Sequence, residues 1–227
     1  MSWWPIGANA QRRRVQRSVS EGPLRDYLDV PVPANDTPAE QLPLLAVDLE
    51  TTGLSARTDR ILSVGFVPVD GNVINLSGAR HIVVRSQGEV GQSAAVHGLT
   101  DDAVAAGVPL AEALAQLLAA LRGRVLLAHY ATIEQEFLSA ACRAVYGHPL
   151  PVRVVDTLEL QRRLTTTAWD DPRAGSLRLG AARAAHGLPR YRAHEALTDA
   201  LSCAELWLAQ SIALSERGQG RLGQLAR

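Results

Sequence analysis

What this 227-residue sequence lacks excludes several classes of protein. It contains no lysine, so all 23 basic residues are arginine, which fits the codon bias of a GC-rich genome and carries no functional weight. The arginines are balanced by 23 acidic residues. A net charge of zero argues against a protein that coats duplex nucleic acid without regard to its sequence. Any contact with nucleic acid is therefore expected to be local.

Cysteines and long apolar runs are also scarce. The two cysteines, Cys142 and Cys203, lie in apolar helical patterns that are typical of buried free thiols rather than of a disulfide. No apolar stretch approaches the roughly 20 residues of a membrane span, and the N-terminus lacks the apolar core of a secretion signal. We therefore expect a cytoplasmic protein with no membrane partner.

The length suits one large domain with extensions, or at most two small domains. Hydrophobic residues make up 47% of the chain and charged residues 20%, which is typical of a globular protein with a sizeable core. Residues 1–41, with a basic cluster and a proline-rich stretch, are predicted to form a partly disordered N-terminal extension. The basic cluster is either a solvated charge run or a contact for a protein partner or nucleic acid. The domain is expected to span residues 42–214, and residues 215–227 to form a tail that frays.

The pattern from residue 42 onward predicts an α/β fold. Three strands come first, in "LLAVDLE", "RILSVGFVPVDG" and "NVINLSGARHIVVR". Short apolar strands then alternate with amphipathic helices, from "LAEALAQLLAALRG" to "EALTDALSCAELWLAQSIAL". A strand meander followed by this alternation indicates a sheet covered by helices.

Two carboxylates end the first predicted strand. Asp48 and Glu50 are two residues apart, so on a strand they point to the same face. Two carboxylates on one buried face repel each other and are unfavourable to desolvate, and a divalent cation is the simplest compensation. The alternative is that both lie in the solvated turn after the strand.

A histidine and an aspartate five residues apart form a second candidate in "HEALTDA". Five residues along a helix turn about 500°, so His194 and Asp199 converge only if His194 lies on the loop before the helix. A loop histidine beside a helical carboxylate suits a base that activates water next to a metal ligand. The alternative is an ordinary pair at a helix start. His129 with Glu134, and His97 before a short helix, are further candidates.

These motifs resemble those of the DEDD-type 3′–5′ exonucleases, the family of the proofreading subunit of bacterial DNA polymerase III, RNase T and oligoribonuclease. The first family motif is similar to "AVDLETTGL", and the last, in the histidine subtype, is similar to "HEALTDA". The segments "VHGLT", "VDTLELQRRL" and "SLRLGAARAAHGLP" resemble the polymerase-proofreading branch. The resemblance runs from about Leu42 to Ile212 in the order of the family.

The resemblance implies an RNase H-like fold with a mixed five-stranded sheet and a site for two Mg²⁺ or Mn²⁺ ions. It implies catalytic roles for His194, as the general base, and for Glu50. The implied metal ligands are Asp48, Glu50, Glu134 and Asp199. The residues implied to contact the 3′-terminal nucleotide are Thr51, Leu54, His97 and His129, of which His129 alternatively caps the strand end.

The middle motif departs from the family, which usually has His-Asn-Ala, two residues and then Asp, whereas this chain has "HYATIE". Tyr130 replaces the asparagine, and Glu134 stands where aspartate is expected. Glutamate is also a hard oxygen ligand for Mg²⁺. Glu136 is two helical positions further on, about 200° round the helix, and cannot face the same site.

The sequence therefore predicts a metal-dependent 3′–5′ exonuclease acting on the 3′ ends of single-stranded nucleic acid, DNA rather than RNA. The alternatives are an RNA-directed enzyme and, if Glu134 disables the metal site, a non-catalytic nucleic-acid or nucleotide-binding module. The short stretch after Asp199 leaves little room for a polymerase-docking segment, which favours a stand-alone or differently partnered enzyme over a replicative subunit. The sequence makes no prediction of the oligomeric state.

Overall fold

The computed structural model describes residues 8–86, 100–166, 173–192 and 194–226, which contain six strands and nine α-helices. The strands are β1 (Pro43–Thr51), β2 (Ile61–Asp70), β3 (Val73–Ile74), β4 (Arg80–Val83), β5 (Val125–Ala128) and β6 (Val154–Asp156). The helices are α1 (Ala8–Ser18), α2 (Pro23–Asp29), α3 (Asp101–Ala105), α4 (Leu110–Leu121), α5 (Thr132–Tyr146), α6 (Thr157–Thr165), α7 (Leu179–Ala185), α8 (Ala196–Glu216) and α9 (Leu222–Leu225). Within these residues, no helix has the length and apolar character needed to cross a lipid bilayer.

The strands form one mixed sheet in the order β3-β2-β1-β5-β6, with β4 also paired to β2. Strand β1 is antiparallel to β2 and parallel to β5, and β5 is parallel to β6. The predicted α/β sheet flanked by helices is confirmed. It has six strands rather than five, because a 3₁₀ turn at Leu76–Gly78 divides the expected third strand into β3 and β4.

Strand β1 lies in the middle of the sheet, and its alternating side chains supply both layers of the core. Leu45, Val47 and Leu49 pack with the layer formed by α4 and α5. Leu44 and Ala46 face the opposite layer, which contains α8. Because alternation continues to the end of the strand, Asp48 and Glu50 also face the side of the sheet that α8 covers.

Both ends of the chain pack against the domain in the described residues. Helices α1 and α2 bury Val15 and Tyr27 in the core layer of α4 and α5. Leu222 and Leu225 of α9 are buried on the other side of the sheet, and the backbone N–H of Leu222 donates to the carbonyl of Thr37. The apolar positions in these segments explain why residues 8–41 and 215–226 pack against the domain, and the division into an extension, a domain and a tail stays a prediction.

Helix α8 approaches strand β2 closely at Gly65. In the β1–β2 ladder Gly65 is the direct partner of Asp48. A Cβ atom at Gly65 would collide with the backbone of Ala196 and Leu197, at the beginning of α8. The absence of a side chain at Gly65 therefore lets the first turn of α8, which carries Asp199, lie over the sheet beside Asp48.

Both cysteines are free and buried, as predicted.

Candidate active site

Three of the predicted carboxylates meet at the end of β1. Asp48, Glu50 and Asp199 each offer one carboxylate oxygen, and these oxygens all lie within 4.8 Å of one another. Glu50 is buried, and the other two are partly exposed. The first two share a face because of the strand period, and the third arrives from the first turn of α8. The cluster is therefore assembled from distant parts of the chain.

Glu134 adds a fourth carboxylate from the first turn of α5. Its side chain is only 4% exposed, and its Oε2 atom has no hydrogen-bond partner within the described residues. It lies outside the three-residue cluster but is close enough to raise the pKa of Asp48. Glu136, two positions further along the helix, is exposed. The structure thus directs Glu134 towards the cluster and Glu136 towards solvent.

The four carboxyl groups hold their protons more tightly than ordinary carboxyl groups. Burial, and then the charge of Asp199, raises the pKa of Glu50 to about 7. Burial raises the pKa of Glu134 to about 8, with a further contribution from Glu50. The pKa values of Asp48 and Asp199 are also raised, in both cases chiefly by burial. Without a counter-ion these groups repel one another when they ionise.

This arrangement fits a divalent cation. Buried carboxylate oxygens are the hard ligands that such ions prefer, and the unpartnered Oε2 of Glu134 leaves a buried acceptor for which the described residues offer no donor. A bound cation would stabilise the ionised carboxylates and so lower the four pKa values that burial raises. The cluster therefore indicates dependence on a divalent metal.

His194 lies on the loop immediately before α8, where the five-residue spacing predicted it. Its backbone N–H donates to Oδ2 of Asp199 at 2.8 Å, and its φ of 70° is in the left-handed region. A non-glycine residue in this region usually requires support from its surroundings, which the bond to Asp199 supplies. The histidine backbone is thus fixed directly to a carboxylate of the cluster.

A buried arginine, which the sequence analysis missed, anchors the segment before His194. Arg183 donates to the carbonyl of Ser202 at 2.6 Å and to Oε2 of Glu205 at 2.7 Å. Its guanidinium also stacks on the ring of Tyr191 at 4.6 Å, and the hydroxyl of Tyr191 donates to Glu205. The signal in the sequence was a single arginine inside the alanine-rich stretch "LGAARAA", but its partners are distant in the sequence.

His129 is held by the protein at both ring nitrogens. Burial lowers its pKa to about 4, so the ring is neutral and carries one N–H. Nε2 is 2.9 Å from the carbonyl oxygen of Leu177, which can only accept, so Nε2 carries the proton. Nδ1 then accepts from the hydroxyl of Thr157 at 2.9 Å. This arrangement favours the structural alternative for His129 over contact with substrate.

Asp156, at the end of β6, is a second residue that the sequence analysis missed. Its carboxylate accepts from the backbone N–H groups of Tyr130 and Ala131 at 3.0 and 3.1 Å, and from Leu158. It therefore fixes the turn between β5 and α5, four residues before Glu134. The sequence indicated that Asp156 ends a strand, but it did not indicate that this strand pairs with β5, whose following turn Asp156 holds.

The loop after β1 presents Leu54 to solvent. A register shift between Glu50 and Thr51 ends the regular pairing, and the Thr51 hydroxyl donates to the carbonyl of Gly53 at 2.6 Å. Asp59 accepts from the hydroxyl of Thr52 and the backbone N–H of Ser55. Leu54 on this ordered loop is 78% exposed. The other predicted substrate residue, His97, lies outside the described residues.

Comparison with known proteins identifies the family to which the chain belongs. Residues 45–207 match the family model described as "RNase_T: Exonuclease". Since the match spans more than half of the chain, the protein belongs to this exonuclease family, as its motifs indicated.

Relatives include the DNA polymerase III subunit epsilon of Treponema pallidum, 29% identical over 170 residues, which are 74% of this chain and 76% of the relative. A PolC-type DNA polymerase III of Thermotoga petrophila is 27% identical over 175 residues. That match covers 76% of this chain but only 12% of the relative.

Solved structures share the fold. Exonuclease I of E. coli in complex with a dT13 oligonucleotide superimposes with a TM-score of 0.65 and 16% identity, over 78% of this chain and 43% of that one. Exonuclease X in complex with 5′ overhanging duplex DNA gives a TM-score of 0.57 and 21% identity, over 80% and 97% of the two chains. The predicted RNase H-like α/β fold is thereby confirmed.

Proposed function

We propose that this protein is a divalent-metal-dependent 3′–5′ exonuclease that removes nucleotides from the 3′ end of single-stranded nucleic acid, with DNA preferred to RNA. The observation that carries the proposal is the buried group of carboxylates contributed by β1, α5 and α8 in a chain of the exonuclease family. Such a group is unfavourable for the fold alone, because burial raises all four pKa values and the charges of other carboxylates in the group add to the shifts of Asp48, Glu50 and Glu134.

Two Mg²⁺ or Mn²⁺ ions would be held by Asp48, Glu50, Glu134 and Asp199. When bound, such ions supply positive charge that favours ionisation of water and stabilises a leaving oxygen. With metal bound, all four carboxylates would be ionised at neutral pH, and the same four residues would hold the ions in the active site.

His194 acts as the general base in this proposal. Its place on the loop before α8, with its backbone held by Asp199, leaves the exposed side chain next to the cluster. It accepts the proton of the water that attacks the terminal phosphodiester. The new P–O bond forms as the bond to the 3′ oxygen of the preceding nucleotide breaks, and a nucleoside 5′-monophosphate leaves. The backbone at Thr51 and the side chain of Leu54 border the terminal nucleotide.

A second candidate is a non-catalytic nucleic-acid-binding module of the same fold. It is favoured by one observation, that Glu134 lies outside the group of three carboxylates whose oxygens are within 4.8 Å of one another.

A cytoplasmic location and a protein partner for residues 1–41 complete the proposal, and neither distinguishes the two candidates.

A labelling experiment separates the candidates. Single-stranded DNA and RNA labelled at the 5′ end are incubated with the protein in Mn²⁺ or in chelator, with Asp48→Asn as the matched inactive control. The proposal predicts a ladder that shortens from the 3′ end only with the wild type in Mn²⁺, and faster for DNA. Intact DNA and RNA in Mn²⁺, with binding retained, would establish the binding module instead.

A further inference from the structure

Tyr130 has an unusual backbone for its residue type. Its φ is 65°, in the left-handed region, where a bulky non-glycine residue is an outlier. Asparagine or glycine adopts this conformation with less strain. Its side chain is 52% exposed and forms no hydrogen bond or ring contact within the described residues. Within the described residues, no contact of the ring therefore offsets the strain in the Tyr130 backbone.

The strain is maintained by specific contacts beside the carboxylates. Asp156 accepts the N–H of Tyr130 at 3.0 Å and that of Ala131 at 3.1 Å, which fixes the turn. Strand β5 runs parallel to β1, with Ala46 opposite Leu127. The residues that follow both strands therefore emerge at the same edge of the sheet. Tyr130 is two residues after β5 ends, at the edge where β1 places Glu50.

The chemistry of an exposed ring at this edge suits a nucleobase. Aromatic side chains stack on bases of any sequence, because every base has a π-face. Residues held in strained conformations also cluster at functional sites, where the surroundings maintain them. A strand whose 3′ end enters the proposed site would bring its bases to the edge of the sheet where this ring is exposed.

We propose that the Tyr130 ring stacks on a nucleobase of the substrate strand and so raises the affinity of the protein for single-stranded ends. This inference rests on the proposed function and extends it by naming a residue that positions the strand. The backbone fixed by Asp156 would hold the ring in place before the substrate arrives, which lowers the entropy lost on binding.

The test compares Tyr130→Asn with Tyr130→Phe. Binding of a fluorescent single-stranded oligodeoxynucleotide is measured in chelator, so that no cleavage occurs. Tyr130→Asn should bind about 5- to 150-fold more weakly, the range for loss of one base–aromatic stack, whereas Tyr130→Phe should bind like the wild type. Because asparagine tolerates this backbone, Tyr130→Asn should also melt on the order of 1–3 °C higher.

These two opposite changes distinguish a contact with nucleic acid from a structural role. Equal binding by Tyr130→Asn and the wild type would overturn the proposal, and so would a joint loss of binding and thermal stability. The binding assay does not depend on catalysis, so it remains decisive if the ladder experiment fails.

Oligonucleotides with one abasic position near the 3′ end locate the base. At the stacked position, removal of the base should abolish the difference between wild type and Tyr130→Asn, as in a double-mutant cycle. If the difference persists at every position of the bound strand, the ring does not stack on a base and the proposal is wrong.

Discussion

The ionisation of Glu134 should make the metal-free protein less stable as the pH rises. Burial raises the pKa of this side chain from 4.5 to about 8, so between these values the folded protein retains a proton that the unfolded chain has released. Stability falls with pH wherever the folded state binds more protons. The contribution is complete below pH 4.5, declines between pH 4.5 and 8, and is lost above pH 8.

The size of this effect follows from the two pKa values. The full difference corresponds to a decrease in the free energy of unfolding of about 5 kcal/mol, of which about 4 kcal/mol falls between pH 5 and pH 8.5. For a domain of this size, each kcal/mol shifts the melting temperature by about 2–4 °C. Glu134→Gln removes the ionisation but keeps the shape. In chelator, this variant should therefore lose about 10 °C less than the wild type between pH 5 and pH 8.5.

Thermal melts followed by circular dichroism test this, with Glu136→Gln as the matched control, because Glu136 is exposed on the same helix. In Mn²⁺ at pH 8.5 the order should reverse, since the wild type gains a ligand charge that Glu134→Gln lacks. If Glu134→Gln shows the same pH dependence and the same stabilisation by Mn²⁺ as Glu136→Gln, Glu134 is not part of the metal site.

Three further variants probe the supports of the site. Gly65→Ala should lower the melting temperature by on the order of 5–10 °C and reduce kcat, because its Cβ would push α8 and Asp199 off the sheet. A thermal melt and a turnover assay at 20 °C measure the two effects, and an unchanged melting temperature with an unchanged kcat would refute the close approach of α8. His194→Ala should lower kcat about 10²–10⁴-fold with Mn²⁺ binding by calorimetry retained, and unchanged turnover excludes it as the base. Arg183→Leu should lower stability by about 1–3 kcal/mol in urea melts, because Glu205 loses its buried partner; a stability equal to the wild type would show that the contact contributes nothing.

The sequence predicted the parts of the site that depend on local periodicity. The strand period placed Asp48 and Glu50 on one face, and the helical angle placed His194 on a loop. The opposite directions of Glu134 and Glu136 follow from the same helical geometry, and the structure agrees. These positions could be found because each depends on residues fewer than six apart.

Other features depend on contacts between distant segments and could not be found in this way. Asp156 acts on a turn 25 and 26 residues earlier, and Arg183 binds Glu205, 22 residues away. The folding of residues 8–41 rests on apolar side chains such as Tyr27, whose hydroxyl donates to Pro151 across 124 residues. Composition indicated a loose extension because it does not show which surface those side chains cover.

The chemical identity of the released product is the decisive measurement. Single-stranded DNA is digested in Mn²⁺, and the products are separated by liquid chromatography, with Asp48→Asn and chelator as controls. Attack of water that breaks the bond to the 3′ oxygen predicts nucleoside 5′-monophosphates, formed only by the wild type with metal. Nucleoside 3′-monophosphates, short internal fragments, or equal release by Asp48→Asn would contradict a 3′–5′ exonuclease built on these carboxylates.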